Sequence, residues 1–349
     1  MASLSNCSSA LICHRINVLS TPRPGLVPSP PSDPFTEEDL AICQMAAKAF
    51  LQSRVPLPET LPRPLLLDVD TDWAVVHLSS DSDLLVGKGA EKTVRYGVDI
   101  FSGKAVVVAT TIENPEILRE FETMQLLARV PKIVHAYALL SLPGVDHLLM
   151  EPFSSESLQQ RLEDPLNPPL DEGEQWIIVR DCIEAMAEIH KLDVVHRDLK
   201  TSSIMLKLSS ETGKVTQAAI GDFGLATTLS DTEQMERFSA TRWYLSPEGY
   251  ASLTLVHTDQ SIAKQLWVDY SQHRDVWALG VTIFYLYTKE FIKFTNLKQV
   301  KINARIKSPN IPPNVQKLLL GMLQVDPKER WTMEQAKQWV ESVDKANAS

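Results

Sequence analysis

The sequence predicts an α+β chain in two lobes, a β-rich N-terminal lobe followed by a helical C-terminal one. Three observations carry this. Short apolar and β-branched runs recur between residues 84 and 150 and are interrupted by a single helical stretch. Beyond Phe153 the periodicity becomes mostly helical, and strands with one helix followed by a helical region match a two-lobed arrangement. The length of 349 residues holds one large catalytic domain with an extension, or two ordinary domains.

The elements follow in order. The first 32 residues contain no Asp or Glu, and they carry several Ser and the Pro-rich runs 21–24 and 28–31. Such a segment buries too little apolar surface to offset its ordering entropy, so residues 1–35 read as disordered. A plain flexible tail on a cytoplasmic protein is the simpler reading. The acid-poor, Ser-rich composition also fits an organelle-targeting or export segment. Thr36 followed by Glu37, Glu38 and Asp39 reads as a helix start, with an apolar face through Gln52. Prolines 56, 58, 62 and 64 end it, so residues 36–82 read as a helix and a stiff connector. Strands are expected at 84–86, 93–96, 105–112, 136–142 and 147–150, with a helix over 115–127. Helices are expected at 174–192, 275–287 and 315–323.

A hydrophobic fraction of 44% and a charged fraction of 22% are ordinary for a soluble globular chain. The net charge of −10 argues against nucleic acid or an anionic membrane as partner. No apolar run approaches the ~20 residues a membrane span needs. Cys7, Cys13, Cys43 and Cys182 have neither metal-ligand nor redox spacing. Oligomeric state is left open.

The chemistry is concentrated in two short runs. Val195-His196-Arg197-Asp198-Leu199-Lys200 and Gly221-Asp222-Phe223-Gly224 flank the expected strand 215–220. They supply a base for a hydroxyl and a carboxylate for a metal, the two parts phosphoryl transfer needs. Upstream, Gly87-Lys88-Gly89 leads through Lys92 to Val94, after one apolar strand and before another. Together these runs resemble the eukaryotic-type protein kinases, over residues 83–345, with an N-lobe at 83–150 and a C-lobe at 154–345. The Asp198-Leu199-Lys200 order is similar to that of Ser/Thr kinases.

The resemblance implies ATP and Mg²⁺ as cofactors and a protein hydroxyl as acceptor. Asp198 is then the base, Lys200 steadies the transferring phosphate, and Thr241 bonds near both. Asp222 holds Mg²⁺. Gly87, Gly89 and Val94 cover the nucleotide, with Glu151 C=O and Phe153 N–H expected to hold adenine beside Met150. His196 packs in the core, Arg197 is a fork for a phosphate at Ser230, Thr232 or Ser239, and Gly224 permits a sharp turn. Glu248 pairs with Arg330, and Asp275 braces the catalytic loop.

Two positions depart from the family. The expected second metal ligand, an Asn, is Ser203 here. The strand 105–112 lacks the usual lysine, which would stand at Ala109 or Thr111, two positions on one strand face. Lys92 offers a replacement, as in the with-no-lysine kinases, with Glu120 favoured over Glu122 as its carboxylate because Glu120 shares a face with Met124 and Leu127. About 15 residues within 251–269 read as an insertion against ordinary connection lengths, and a tolerated surface loop is the simplest account. The rival to an active enzyme is a catalytically impaired pseudokinase acting as a scaffold.

Overall fold

The computed structural model describes residues 12–13, 37–53, 65–67, 74–77, 85–88, 92–112, 114, 116–142, 144–153, 156–239, 241–292 and 298–348. The chain divides into two compact units. The smaller holds residues up to Gln125 and His135–Ser155, and the larger holds Leu126–Val134 with Glu156 onward. The stretch Leu126–Val134 was expected in the N-lobe but belongs to the large unit. There Val134 N–H donates to Ile220 O at 2.8 Å, and Lys132 pairs with Asp181 at 2.8 Å.

The small unit is a sheet with two helices. Its elements are β1 (Ile12–Cys13), α1 (Glu37–Ser53), β2 (Leu65–Leu67), β3 (Ala74–His77), β4 (Leu85–Lys88), β5 (Thr93–Asp99), β6 (Ala105–Ile112), α2 (Glu116–Leu126), β7 (Ala136–Leu142) and β8 (Val145–Met150). The strand order is β1-β2-β3-β5-β6-β8-β7, with β4 also on β5, and every pairing is antiparallel. Val75, Val106, Val108, Ala138, Leu140 and Leu149 form a packed core on it. Helix α1 is fastened by Gln44, whose side-chain amide donates to Ile100 O at 2.6 Å, and it buries Cys43, Ala46 and Ala47.

Residues 36–82 are therefore more than a helix and connector. Leu65–Leu67 and Ala74–His77 form strands that extend the sheet by backbone pairing, with β3 sharing an edge of β5 with β4. Within the segment read as disordered, Ile12–Cys13 pairs with β2. The rest of residues 1–35, the proline run and Gly89 lie outside the described residues.

The large unit carries β9 (Glu156–Ser157), α3 (Leu158–Glu163), α4 (Glu172–Lys191), β10 (Val194–Val195), β11 (Ile204–Leu208), β12 (Val215–Ile220), β13 (Thr227–Thr228), α5 (Thr232–Met235), α6 (Pro247–Leu255), α7 (Gln260–Asp269), α8 (Ser271–Thr288), α9 (Gln299–Ile306), α10 (Pro313–Met322) and α11 (Met333–Ala348). Helix α4 begins with a capping box, Asp171 and Glu174 satisfying each other's amides, and is welded to β12 by its acids. Glu174 accepts Val215 N–H at 2.8 Å and Asp181 accepts Ala218 N–H at 3.0 Å. Helix α8 is almost wholly buried, with Trp277 and Phe284 in the core. Gly321 is required by packing, since a Cβ there would sit 2.1 Å from the Trp331 ring.

The stretch 251–269 is not a bland surface loop. It completes α6 and forms α7, which buries Ala263 and Trp267. Trp267 packs on Phe238 at 5.0 Å between ring centroids, and Lys264 pairs with Glu236 at 2.6 Å. Helix α7 thus braces the segment 236–238 by apolar burial together with an ion pair. No helix among the described residues is long and apolar enough to cross a membrane.

Candidate active site

The large unit assembles the catalytic-loop residues by short, local geometry. Asp275, at the start of α8 and 1% exposed, accepts both the His196 amide (2.8 Å) and the Arg197 amide (2.8 Å). His190 adds a third contact at 3.1 Å, a partner that the sequence reading did not anticipate. Burial alone would raise the Asp275 carboxyl, but its hydrogen bond with His190 and the nearby imidazoles outweigh that and hold it below the ordinary range. These bonds matter because Arg197 has φ +70°, a conformation that costs a bulky residue roughly 1–2 kcal/mol. Asp275 holds the loop in that strained shape.

Asp198 follows directly. Its carboxylate accepts from Thr241 Oγ1 at 2.7 Å and forms a short ion pair with Lys200 Nζ. Lys200 Nζ also lies 3.8 Å from Asp222. Burial works to lower the Lys200 ammonium, yet the Asp198 hydrogen bond and the charges of Asp198 and Asp222 raise it above its ordinary value. Tyr244 supports the loop from the activation segment, its hydroxyl 3.0 Å from Thr201 Oγ1.

Phe223 is fully buried and its ring lies 5.2 Å from that of His196, whose Nε2 is 3.0 Å from Gly221 O. The sharp turn here falls on Asp222 itself, at φ +61°, rather than on Gly224, which is absent from the left-handed glycines. Asp tolerates that region better than most residues. The turn leaves the Asp222 side chain 49% exposed.

Arg197 was expected to await a phosphate. Instead its guanidinium donates to Leu225 O at 3.4 Å and to Arg237 O. Glu248 and Arg330 form the expected buried pair, two parallel bonds of 2.7 and 2.9 Å. Arg274 is a feature the sequence did not flag. It is 7% exposed, lies over the Trp267 ring at 3.9 Å, and burial lowers its guanidinium to about 9.

Ser203 sits differently from its expected role. It ends a short 3₁₀ turn, Thr201–Ser203, and is 1% exposed. Its hydroxyl donates to Lys200 O at 2.9 Å and accepts the Lys200 amide at 2.9 Å. The oxygen that was to meet a metal is committed to the loop backbone.

The small unit brings together the displaced lysine and its carboxylate. Thr93 is paired with Thr110, and continuing that antiparallel register by one residue sets Lys92 opposite Thr111. Side chains directly opposite across a ladder project on the same face, roughly 5 Å apart at Cβ. On that continued register Lys92 and Thr111 share one face of the sheet. Its Nζ forms an ion pair with Glu120, which is 4% exposed, while Glu122 is exposed. Ala109 and Thr111 are both 1% exposed, and the Thr111 hydroxyl has no partner.

The expected adenine pair, Glu151 and Phe153, bond to each other. Phe153 N–H donates to Glu151 O at 2.9 Å, closing a three-residue turn over Pro152. Proline fixes φ near about −65°, close to the value at the centre of an inverse γ-turn. The donor and acceptor expected to meet a base satisfy each other. Gly87 lies in β4, where it pairs with Val94 of β5.

A divalent cation fits only one of the two expected ligands. Asp222 offers a half-exposed carboxylate, a hard oxygen donor suited to Mg²⁺. Among the described residues no group of three or more His, Cys, Asp or Glu forms a metal cage. Ser203, buried and doubly bonded, does not fit.

Known proteins resemble this chain in the same region. Residues 82–340 match the protein kinase domain family. The inhibitor of nuclear factor kappa-B kinase subunit epsilon of Mus musculus is 31% identical over 216 residues, 59% of this chain and 29% of that protein. Calcium/calmodulin-dependent protein kinase type II of Caenorhabditis briggsae is 29% identical over 270 residues, 72% of this chain and 46% of that protein. The probable serine/threonine-protein kinase zyg-1 of Caenorhabditis elegans is 26% identical over 249 residues, 70% of this chain and 31% of that protein. The matched stretch spans less than half of each relative. A family match over about three quarters of the residues, joined to a two-unit α+β fold and the Asp198 constellation, places this chain in the eukaryotic-type protein kinase family.

Proposed function

We propose that the chain transfers the γ-phosphate of ATP to a Ser or Thr hydroxyl of a protein, with Mg²⁺. The observation that carries this reading is the Lys92–Glu120 pair, because it restores the one phosphate-binding charge whose loss would otherwise disable the site. A relative named a probable serine/threonine-protein kinase supports the acceptor class, and one named a calcium/calmodulin-dependent protein kinase supports a protein as substrate.

The residues divide the work by charge. The Asp198 carboxylate accepts the proton of the acceptor hydroxyl as that oxygen bonds to phosphorus and the bond to the leaving diphosphate breaks. Thr241 holds Asp198 in orientation through its hydroxyl. Lys200 keeps its proton throughout and offsets negative charge on the transferring group. Lys92 binds phosphate oxygens, steadied by Glu120. Asp222 would hold Mg²⁺, which when bound neutralises phosphate charge.

The Phe153–Glu151 turn and the committed Ser203 favour a second reading, a nucleotide-poor scaffold. Purified protein incubated with labelled ATP, Mg²⁺ and a generic protein substrate separates the two. Incorporation that vanishes in Asp198→Ala supports the kinase. Equal counts for both proteins would establish the scaffold.

A further inference from the structure

The second metal position of this site is closed by the fold, and the reason lies in how Ser203 is used. A serine hydroxyl has one proton to give and two lone pairs. Ser203 gives its proton to Lys200 O and accepts the Lys200 amide on one lone pair, both at 2.9 Å. Its own amide donates to Lys200 O at 3.1 Å, and its carbonyl accepts Gly221 N–H at 2.8 Å. Three of these four bonds pin the peptide groups of Lys200, the residue whose ammonium serves Asp198. The fourth ties this turn to the residue preceding Asp222.

A cation seeking Ser203 as ligand has one remaining lone pair on a residue that is 1% exposed. Turning the hydroxyl toward the cation breaks at least one bond to Lys200 and leaves a buried backbone group unpaired. An asparagine at this position is not so limited. Its amide group carries two protons and a separate carbonyl oxygen, so it can brace the backbone and present a ligand at once. The charge that a second cation would supply is already there, since Lys200 Nζ pairs with Asp198 and lies 3.8 Å from Asp222.

We propose that the nucleotide-loaded protein holds one divalent cation per chain, on Asp222, and that Ser203 excludes a second by its commitment to the Lys200 backbone. This rests on the kinase reading above. The test is Mn²⁺ titration of the full chain saturated with a non-hydrolysable ATP analogue, with bound ion counted by electron paramagnetic resonance. The wild type should bind one Mn²⁺ per chain and show no Mn–Mn coupling. Ser203→Asn should raise the count to two and introduce that coupling.

Two ions in the wild type would overturn the proposal without any variant, so it stands or falls even where Ser203→Asn does not fold. One ion in both folded proteins would remove Ser203 as the cause and overturn it equally. A wild type that retains no nucleotide would bring down the kinase reading itself, an outcome distinct from either count.

Discussion

Each unit departs from the family at one position, and the two departures differ in what the fold could repair. In the small unit, where β6 carries no lysine, Lys92 stands one residue before β5 and its stem reaches the buried Glu120. In the large unit the missing asparagine is not replaced, because Ser203 is short and already bonded to Lys200 from both sides. A charge on four methylenes can be delivered from a neighbouring strand. A ligand atom must sit at its own position, so its loss is local and permanent.

The sharpest way to break this comparison is at Asp198. Asp198→Ala should lower kcat by ~10²–10⁴, the range of a positioned base, while leaving the fold intact by circular dichroism. A residual rate near the wild type would mean that neither departure matters, since no chemistry would be occurring here. Next in size is Glu248→Ala. It strands the Arg330 guanidinium, whose side chain is 0% exposed, and should cost ~3–5 kcal/mol in chemical denaturation of the large unit.

Lys92→Met should reduce kcat/KM by ~10²–10³, the usual scale for removing one electrostatic contact to a transition state. Adding Thr111→Lys to that variant should recover part of the loss, because the two positions face each other across the ladder. Lys104→Met is the control: Lys104 lies over the Tyr137 ring at 3.6 Å, away from Glu120, and its loss should leave the rate unchanged. Failure of Thr111→Lys to rescue, with normal folding, would separate Lys92 from the family lysine.

The smallest effect concerns stability of the small unit. Burial, aided by Arg95 and opposed by Asp146, lowers His147 to about 4. Between that value and the ordinary 6.5 the unfolded chain binds a proton that the folded unit does not. Stability is therefore complete above pH 6.5 and falls as the pH drops toward 4, by at most about 3 kcal/mol. Hydrogen exchange across β7 and β8 should follow that decline, and His147→Gln should flatten it.

Much of this was legible along the chain because the signals are local. Strand and helix periodicities located β6, β7 and α2 nearly to the residue, and β5, β8, α4 and α8 with ends off by up to about four residues. The runs around Asp198 and Asp222 are contiguous, so their chemistry is written in order. Lys92 was singled out by its place in the glycine loop, and Glu120 was preferred to Glu122 by a helix face. The β2 and β3 strands escaped because each is too short to show a period and follows a proline run. Trp267 escaped because a segment absent from an ordinary connection reads as surplus, whereas its side chain is 1% exposed against the activation segment.

Residue order by itself determined the two-lobed α+β class and the motifs that carry Asp198, Lys200 and Asp222. Those depend on residue type and near spacing, which the chain carries without folding. Tertiary structure alone decided how donors and acceptors were spent. Phe153 N–H bonds Glu151 O, Arg197 donates to the Leu225 and Arg237 carbonyls, and Ser203 gives its hydroxyl to Lys200. A polar side chain names what it can bond, but burial makes every such group find a partner, and which partner is nearest is a property of the packed fold.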